Sequence, residues 1–289
     1  MSLSLNQLRD SLVSLCENEE IEKIKTFLVE NPKSASETNS LGIFALHEVV
    51  QSCADIEVIN LLLEAYPQVT TKKNKYGCLP FHLAAMSNNN LEIVKLILDT
   101  DPQAISNKDN DGCLPLNYAL EFNSNQEIVK FILYTYPNAT TIKDIYGSFP
   151  IHYAARKNSN LEVMQLILNI YPQAAAEKDN DDFLPLHCAA WCNSNPKIVE
   201  MIYNANNQAI HEKDIYNMLP IHHAANSFYP EITRMIYYFN PKGINYEQID
   251  GYLPIHIAKR TNFDPEILKF FQKASEGTFI NSALQVDIP

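Results

Sequence analysis

Apolar residues recur along the chain in two short helical runs per segment, separated by polar turn residues. In residues 77–111 the first run, "PFHLAAM", begins at Pro80, whose fixed φ suits the first turn of a helix. The turn "SNNN" follows, and the second run, "LEIVKLIL", has a broad apolar face. This run must end near Pro102, because the residue before a proline is pushed out of the α region. The pattern therefore predicts a helix, a turn and a second helix in each segment.

The same segment occurs seven times at an almost constant spacing. Its opening motif reads GIFALH, GCLPFH, GCLPLN, GSFPIH, DFLPLH, NMLPIH and GYLPIH, and successive copies start 35 residues apart, or 34 for the last. Two short helices cannot bury their apolar faces alone, so neighbouring units must stack. We therefore predict one array rather than the two domains that 289 residues would suggest. The seven turn residues that open the motif are Gly42, Gly77, Gly112, Gly147, Asp182, Asn217 and Gly251.

The two ends of the chain depart from this segment. Pro32 occupies the slot that follows a second helix, so residues 1–41 are predicted to be a degenerate N-terminal capping repeat with a more polar outer face. Residues 42–274 contain the seven clear repeats. Residues 275–289 break the pattern and are predicted to be a C-terminal tail.

The repeated unit resembles the ankyrin repeat, whose hallmark is a Thr-Pro-Leu-His-x-Ala motif that opens a helix pair. The resemblance covers residues 42–274 well and 1–41 weakly. It implies an all-α fold, an elongated ankyrin-like helix-turn-helix solenoid with short β-turn or hairpin fingers between the repeats. It also implies a protein-binding role through the finger tips and the exposed side of each first helix.

The chain departs from the family motif at the threonine, which is replaced by an apolar residue in every copy. A capping hydroxyl is worth about 1 kcal/mol over an apolar residue. We expect the apolar side chains to form a buried ladder whose burial, at about 1.5–3 kcal/mol each, offsets that loss. The residues concerned are Phe44, Leu79, Leu114, Phe149, Leu184, Leu219 and Leu253.

A histidine follows the Pro-apolar pair in six of the seven copies. Zinc needs three or four ligands about 2 Å from one centre, whereas equivalent positions on stacked helices lie about 10 Å apart, so these residues do not form one metal site. We expect each to hydrogen-bond neighbouring backbone and tie adjacent repeats together, as the resemblance implies. Asn117 in the seventh copy also supplies a donor and an acceptor, so we expect it to lose little. The structural repeat histidines are His47, His82, His152, His187, His222 and His256.

No residue pattern predicts catalysis, a cofactor or a metal. Cys188 and Cys192 lie one turn apart beside His187 but lack a further ligand at a suitable spacing, and ordinary buried cysteine is the simpler interpretation. The pair His222 and His223 is interpreted as one repeat histidine beside a variable position. Neither a phosphate-binding loop nor a nucleophile elbow occurs in the sequence.

Composition narrows the choice of partner and compartment. The net charge of −12, from 34 acidic and 22 basic residues, argues against nucleic-acid binding, which needs a basic patch. No apolar run approaches the roughly 18 residues that span a bilayer, and the first ten residues do not resemble a signal peptide. The cysteines lack a disulfide pattern. We therefore expect a monomeric cytoplasmic protein, with the nucleus as the alternative compartment.

Candidate binding residues lie at the finger tips and beside the first helices. Trp191 follows "CAA" in its first helix, and we weigh an exposed position against one that leans into the inter-helix core. From Gly77 onward, the residue before each turn position alternates between tyrosine and aspartate, either as a selected pattern or as a coincidence of common turn residues. The predicted partner-binding residues are Trp191, Phe183, Tyr146, Tyr216, Met218, Phe122, Tyr76, Asp111, Asp181 and Asp250.

These observations predict a non-catalytic scaffold that binds an unidentified protein or peptide through its concave finger and first-helix surface. One alternative is an adaptor that recruits substrates to a larger, protein-modifying complex. An adaptor would need a second docking element, either the N-terminal cap or the tail. The other alternative is an enzyme with a catalytic centre in the groove.

Overall fold

The computed structural model describes residues 5–17, 20–52, 55–157, 160–261 and 265–276. The chain divides into two compact units, Met1–Ile145 and Tyr146–Pro289, and each consists of successive helix pairs. The described helices of the first unit are α1 (Leu5–Glu17), α2 (Ile21–Glu30), α3 (Ala45–Ser52), α4 (Ile56–Ala65), α5 (Pro80–Ser87), α6 (Leu91–Thr100), α7 (Pro115–Phe122) and α8 (Gln126–Thr135). Those of the second unit are α9 (Pro150–Lys157), α10 (Leu161–Ile170), α11 (Pro185–Cys192), α12 (Pro196–Ala205), α13 (Pro220–Ala224), α14 (Pro230–Phe239), α15 (Pro254–Thr261) and α16 (Pro265–Ser275).

A short 3₁₀ turn follows each second helix of a pair up to α14. Within the described ranges the sole β feature is a bridge between Thr38 and Phe44, so the all-α prediction is confirmed. The predicted tail lies outside the described residues from residue 277 onward, and so does Cys53. The 3₁₀ turns are Ser34–Ser36, Pro67–Thr71, Pro102–Ser106, Pro137–Thr141, Pro172–Ala176, Asn207–His211 and Pro241–Asn245.

Four of the second helices, α6, α8, α10 and α12, begin at asparagine caps. The side chain of Asn90 accepts a hydrogen bond from the N–H of Glu92 at 3.0 Å, Asn125 and Asn195 also accept the N–H two residues later, and Asn160 accepts the N–H three residues later. Each cap satisfies one of the four N–H groups that the start of a helix leaves unpaired. The inward faces of these helices are fully apolar and make up much of the core.

The apolar residues that replace threonine are buried in the five inner copies, as predicted. Leu79, Leu114, Phe149, Leu184 and Leu219 are all less than 5% exposed. In the first and last copies Phe44 and Leu253 are only half-buried, so the prediction of burial throughout was too broad. Leu253 lies in the last of the seven repeats.

The repeat histidines replace part of the lost cap. In each of the six, Nδ1 accepts a hydrogen bond from the N–H of the apolar residue three positions earlier, for instance Leu184 to His187 at 3.0 Å. In four of them Nε2 lies close to a backbone carbonyl in the next finger or in the segment just before it. The Nε2–O distances are 3.1 Å from His47 to Cys78, 3.0 Å from His152 to Phe183, 3.1 Å from His187 to Glu212 and 2.9 Å from His222 to Tyr246.

These two contacts fix the protonation state of the imidazole. A carbonyl only accepts and an amide N–H only donates, so Nε2 carries the proton and Nδ1 is bare. Burial lowers the pKa of His47, His82 and His222 to about 4 and that of His187 to about 3. In the four copies with the second contact, the neutral ring therefore joins the first helix to the backbone at or just before the next finger. His82 makes only the local contact, and its buried Nε2 has no partner in the described part of the chain.

Asn117 makes the same local contact as the repeat histidines but not the second one, and in this it matches His82. Its Oδ1 accepts the N–H of Leu114 at 3.1 Å, which preserves the local bond. Its Nδ2 is buried and has no hydrogen-bond partner in the described part of the chain. The asparagine side chain is too short to make the second contact that four of the imidazoles make.

A second set of buried ties lies where the first helices end. Asn88, Asn123 and Asn193 are each 5% exposed or less. The Nδ2 of Asn123 donates to the carbonyl of Ala85 at 2.8 Å, and that of Asn193 to the carbonyl of Ala155 at 2.8 Å. Their Oδ1 atoms accept the N–H two residues later, which shapes the turn into the second helix. The asparagines of the "SNNN"-type turns thus connect adjacent repeats as well as forming turns.

Candidate protein-binding surface

Each finger is held by a polar residue three positions before the turn residue. Asp214 accepts the N–H groups of Tyr216 and Met218, both at 2.9 Å. Asp179 accepts those of Asp181 and Phe183, both at 2.9 Å. An aspartate that bonds its own following backbone forms an Asx turn. The shape of each finger is therefore determined by its own few residues.

Adjacent fingers are joined by backbone hydrogen bonds. In the second unit the N–H groups of Asn180, Ile215 and Ile249 donate to the carbonyls of Tyr146, Asp181 and Tyr216 at 2.9, 3.1 and 2.9 Å. In the first unit the equivalent bonds run from Lys75 to Leu41, Asn110 to Tyr76 and Ile145 to Asp111. The residues of the predicted Tyr/Asp alternation therefore use their backbone to connect fingers, and their side chains are left at the tips.

The turn residue has a positive φ in all seven copies. Asp182 and Asn217 adopt φ near 60° without being glycine. Gly147 needs more than a permissive φ, because a Cβ there would lie 2.8 Å from the backbone nitrogen of Asn180. Gly251 has a similar φ of 78° but nothing within 4 Å of the equivalent point. Glycine at 147 is thus required by the close approach of the next finger.

The predicted binding residues fall in both units. In the second unit the side chains of Tyr146, Tyr216 and Trp191 are 58%, 47% and 42% exposed, so Trp191 does not lean into the inter-helix core. Asp181 and Asp250 are also exposed, whereas Phe183 and Met218 are half-buried. In the first unit Tyr76, Phe122 and Asp111 are exposed.

His223 lies between the rings of Phe183 and Trp191 and contacts both. The ring centroid of His223 lies 4.8 Å from that of Phe183 and 6.4 Å from that of Trp191. Its Nε2 lies 2.7 Å from Oδ2 of Asp214, the carboxylate that shapes the finger. Burial raises the pKa of Asp214, but the bonds from His223 and from the N–H groups of Met218 and Tyr216 outweigh it and lower the pKa.

His223 is therefore more than a variable neighbour of His222, and sequence analysis missed its role. In the first unit the equivalent position is Tyr118, whose hydroxyl donates to Oδ2 of Asp109 at 2.6 Å. A polar residue after the repeat histidine, together with an aspartate three positions before the turn residue, was the signal for this contact. It links the finger to the first helix of the same repeat.

The family model for ankyrin repeats matches the chain in three copies, over residues 12–107, 46–141 and 137–214. The chain belongs to the ankyrin repeat family. Ankyrin repeats are in general protein–protein interaction modules, and proteins built from them are typically non-catalytic. No curated protein matches the chain. Over the described residues no helix is long and apolar enough to cross a membrane.

Of the two cysteines on α11, Cys188 is unsuited to nucleophilic chemistry. Cys188 is 1% exposed, and burial raises the pKa of its thiol to about 11, so the thiolate is not formed at neutral pH. Cys192, one turn later, is half-buried and outside any disulfide. Among the described residues no three His, Cys, Asp or Glu side chains come together as a metal site.

Proposed function

We propose that this ankyrin repeat chain is a non-catalytic scaffold that binds a protein or peptide through the fingers and first helices of its second unit. The observation that carries the proposal is the exposure of Trp191 and Tyr216 on a firmly held frame. Large aromatic side chains at protein interfaces often contribute 2 kcal/mol or more, by truncation to alanine.

Hydrogen bonds hold the finger that carries Tyr216 and the surroundings of Trp191 in place. Tyr216 belongs to a finger whose backbone is bonded to Asp214 within the finger and to Ile249 in the next. Trp191 lies on α11 beside His223, which is bonded to the same Asp214. A preformed surface loses little conformational entropy on binding, so more of the favourable energy of its aromatic contacts contributes to affinity.

Affinity capture from the native lysate with quantitative mass spectrometry tests this function. Partners retained by the intact chain should be lost with Trp191→Ala and with Tyr216→Ala. The matched control is Tyr238→Ala, because Tyr238 is 44% exposed in the same unit but lies on the second helix α14.

All three variants should keep the helical circular dichroism of the parent chain, since each replaced side chain is exposed. A partner lost equally with Tyr238→Ala would place binding elsewhere than on the fingers. Capture that none of the three variants changes would contradict the proposed surface. The capping repeat and the tail would then be the next regions to replace.

A further inference from the structure

The finger tips of the second unit carry charge of one sign only. We define the second-unit ridge as residues 146–148, 180–183, 215–218 and 249–252, which are the tips of four successive fingers. The ridge contains three aspartates, Asp181, Asp182 and Asp250, and no lysine or arginine. The equivalent tips of the first unit, 75–78 and 110–113, contain one lysine and one aspartate. The negative character is therefore a property of the second unit.

Few cations of the chain itself lie close to the carboxylates of the ridge. Asp181 and Asp250 are exposed, and neither lies within ion-pair distance of a cation from the described part of the chain. Asp182 lies 3.9 Å from Lys178, but that ammonium is closer to Glu212, at 3.1 Å. These carboxylates are available to a positively charged partner.

Tyr216 lies between Asp181 and Asp250 in the order of the fingers and offers an exposed ring. In the same unit the chain places its own cations on two such rings, one of which, Tyr252, belongs to the ridge. Lys213 Nζ lies 5.3 Å from the ring centroid of Tyr246, and Arg260 lies 5.3 Å from that of Tyr252. Contacts of this kind are attractive because the ring face is negative. The described cations make no such contact with Tyr216, so its face is open to a cation or an aliphatic side chain from a partner.

We propose that the second-unit ridge binds an extended basic segment of a partner protein. Two Lys or Arg side chains of the segment pair with Asp181 and Asp250, and a residue between them lies on Tyr216. Fingers follow stacked helices about 10 Å apart, so the two carboxylates are about 20 Å apart. An extended chain covers that distance in about six residues, at about 3.3 Å per residue. This specifies the partner of the surface proposed above and rests on that proposal.

Selection of displayed random 16-residue peptides on the intact chain, at physiological salt, tests this chemistry. The selected peptides should contain two Lys or Arg residues about six positions apart. Their affinity, measured by fluorescence anisotropy, should fall about tenfold in the double variant Asp181→Asn/Asp250→Asn, because two ion pairs are lost. The control Glu200→Gln/Glu231→Gln removes the same charge from α12 and α14 and should change affinity less than twofold.

The outcomes separate this inference from the proposed function. Neutral or acidic peptides whose binding still requires Tyr216 would overturn the basic partner and leave the scaffold function intact. Basic peptides weakened equally by both double variants would show general attraction to a negative chain and would overturn the ridge. Selection that yields nothing, or only peptides insensitive to Tyr216→Ala and Trp191→Ala, would overturn both.

Discussion

The buried joints between repeats and the exposed finger tips differ in how far they vary along the chain. Joint residues recur almost unchanged, as the hydrogen bonds of His152, His187 and His222 show. Tip residues alternate between tyrosine and aspartate and differ in charge between the two units. A joint must match the same neighbour each time, whereas a tip meets the solvent or a partner. The joints therefore account for stability, and the tips are the place to look for specificity.

Acidification should weaken the contacts of the buried repeat histidines before it affects the exposed finger tips. The folded pKa of His47, His82 and His222 is about 4 and that of His187 about 3, below the usual 6.5. The unfolded chain therefore binds protons first as the pH falls, so this stability is present above pH 6.5 and is lost towards pH 4. Linkage gives about 1.5–2 kcal/mol of unfolding free energy per histidine between pH 7 and pH 5. Urea unfolding across this range, followed by circular dichroism, measures the loss.

His187→Asn supplies the comparison for that experiment, because Asn117 is a natural precedent for the substitution. At pH 7 the variant should be less stable than the parent chain, since it loses the bond to the carbonyl of Glu212. Towards pH 5 the unfolding free energies of the two chains should converge, because protonation removes the stability that His187 gives the parent chain. Two parallel stability curves would show that the joint histidine is not the acid-sensitive group.

The glycines at two finger tips sharpen the comparison within a single unit. Gly147→Ala introduces a Cβ 2.8 Å from the nitrogen of Asn180, whereas Gly251→Ala introduces one into open space. Both variants carry the cost of a positive φ, about 1–2 kcal/mol. Gly147→Ala should lose about 2 kcal/mol more, because the next finger must shift. Urea midpoints of the two variants measure the difference, and equal losses would mean that the approach of the fingers does not constrain residue 147.

Much of the fold followed from the sequence because it depends on local, repeated signals. Proline at the start of the first helices, asparagine at the turns and the apolar faces all specify structure within a few residues, and α5, α7, α9, α11, α13 and α15 begin at the expected prolines. The family membership followed from the same motif. The positions of the repeats stay a prediction. The binding residues also stay a prediction, and testing them requires a binding partner.

What the sequence did not reveal depends on contacts between repeats. Asn88 was interpreted as part of the turn "SNNN", yet its side chain also bonds the carbonyl of Val50 in the preceding repeat. His223 was set aside as a variable position, although it joins Asp214 to the base of Trp191. The geometry of the stack has to be known before the donor can be matched to its acceptor.

The irregular joint at Asn117 gives the smallest expected change and the most direct test of what the histidines contribute. Asn117→His would place an Nε2–H where four other imidazoles reach a carbonyl, and would remove a buried, unpaired Nδ2. A buried donor that gains a partner contributes about 1 kcal/mol, so the urea midpoint should rise at pH 7.5. The gain should vanish at pH 5, because the new imidazole titrates like its neighbours. A variant that is no more stable at pH 7.5 would mean that this joint has adapted to the shorter side chain.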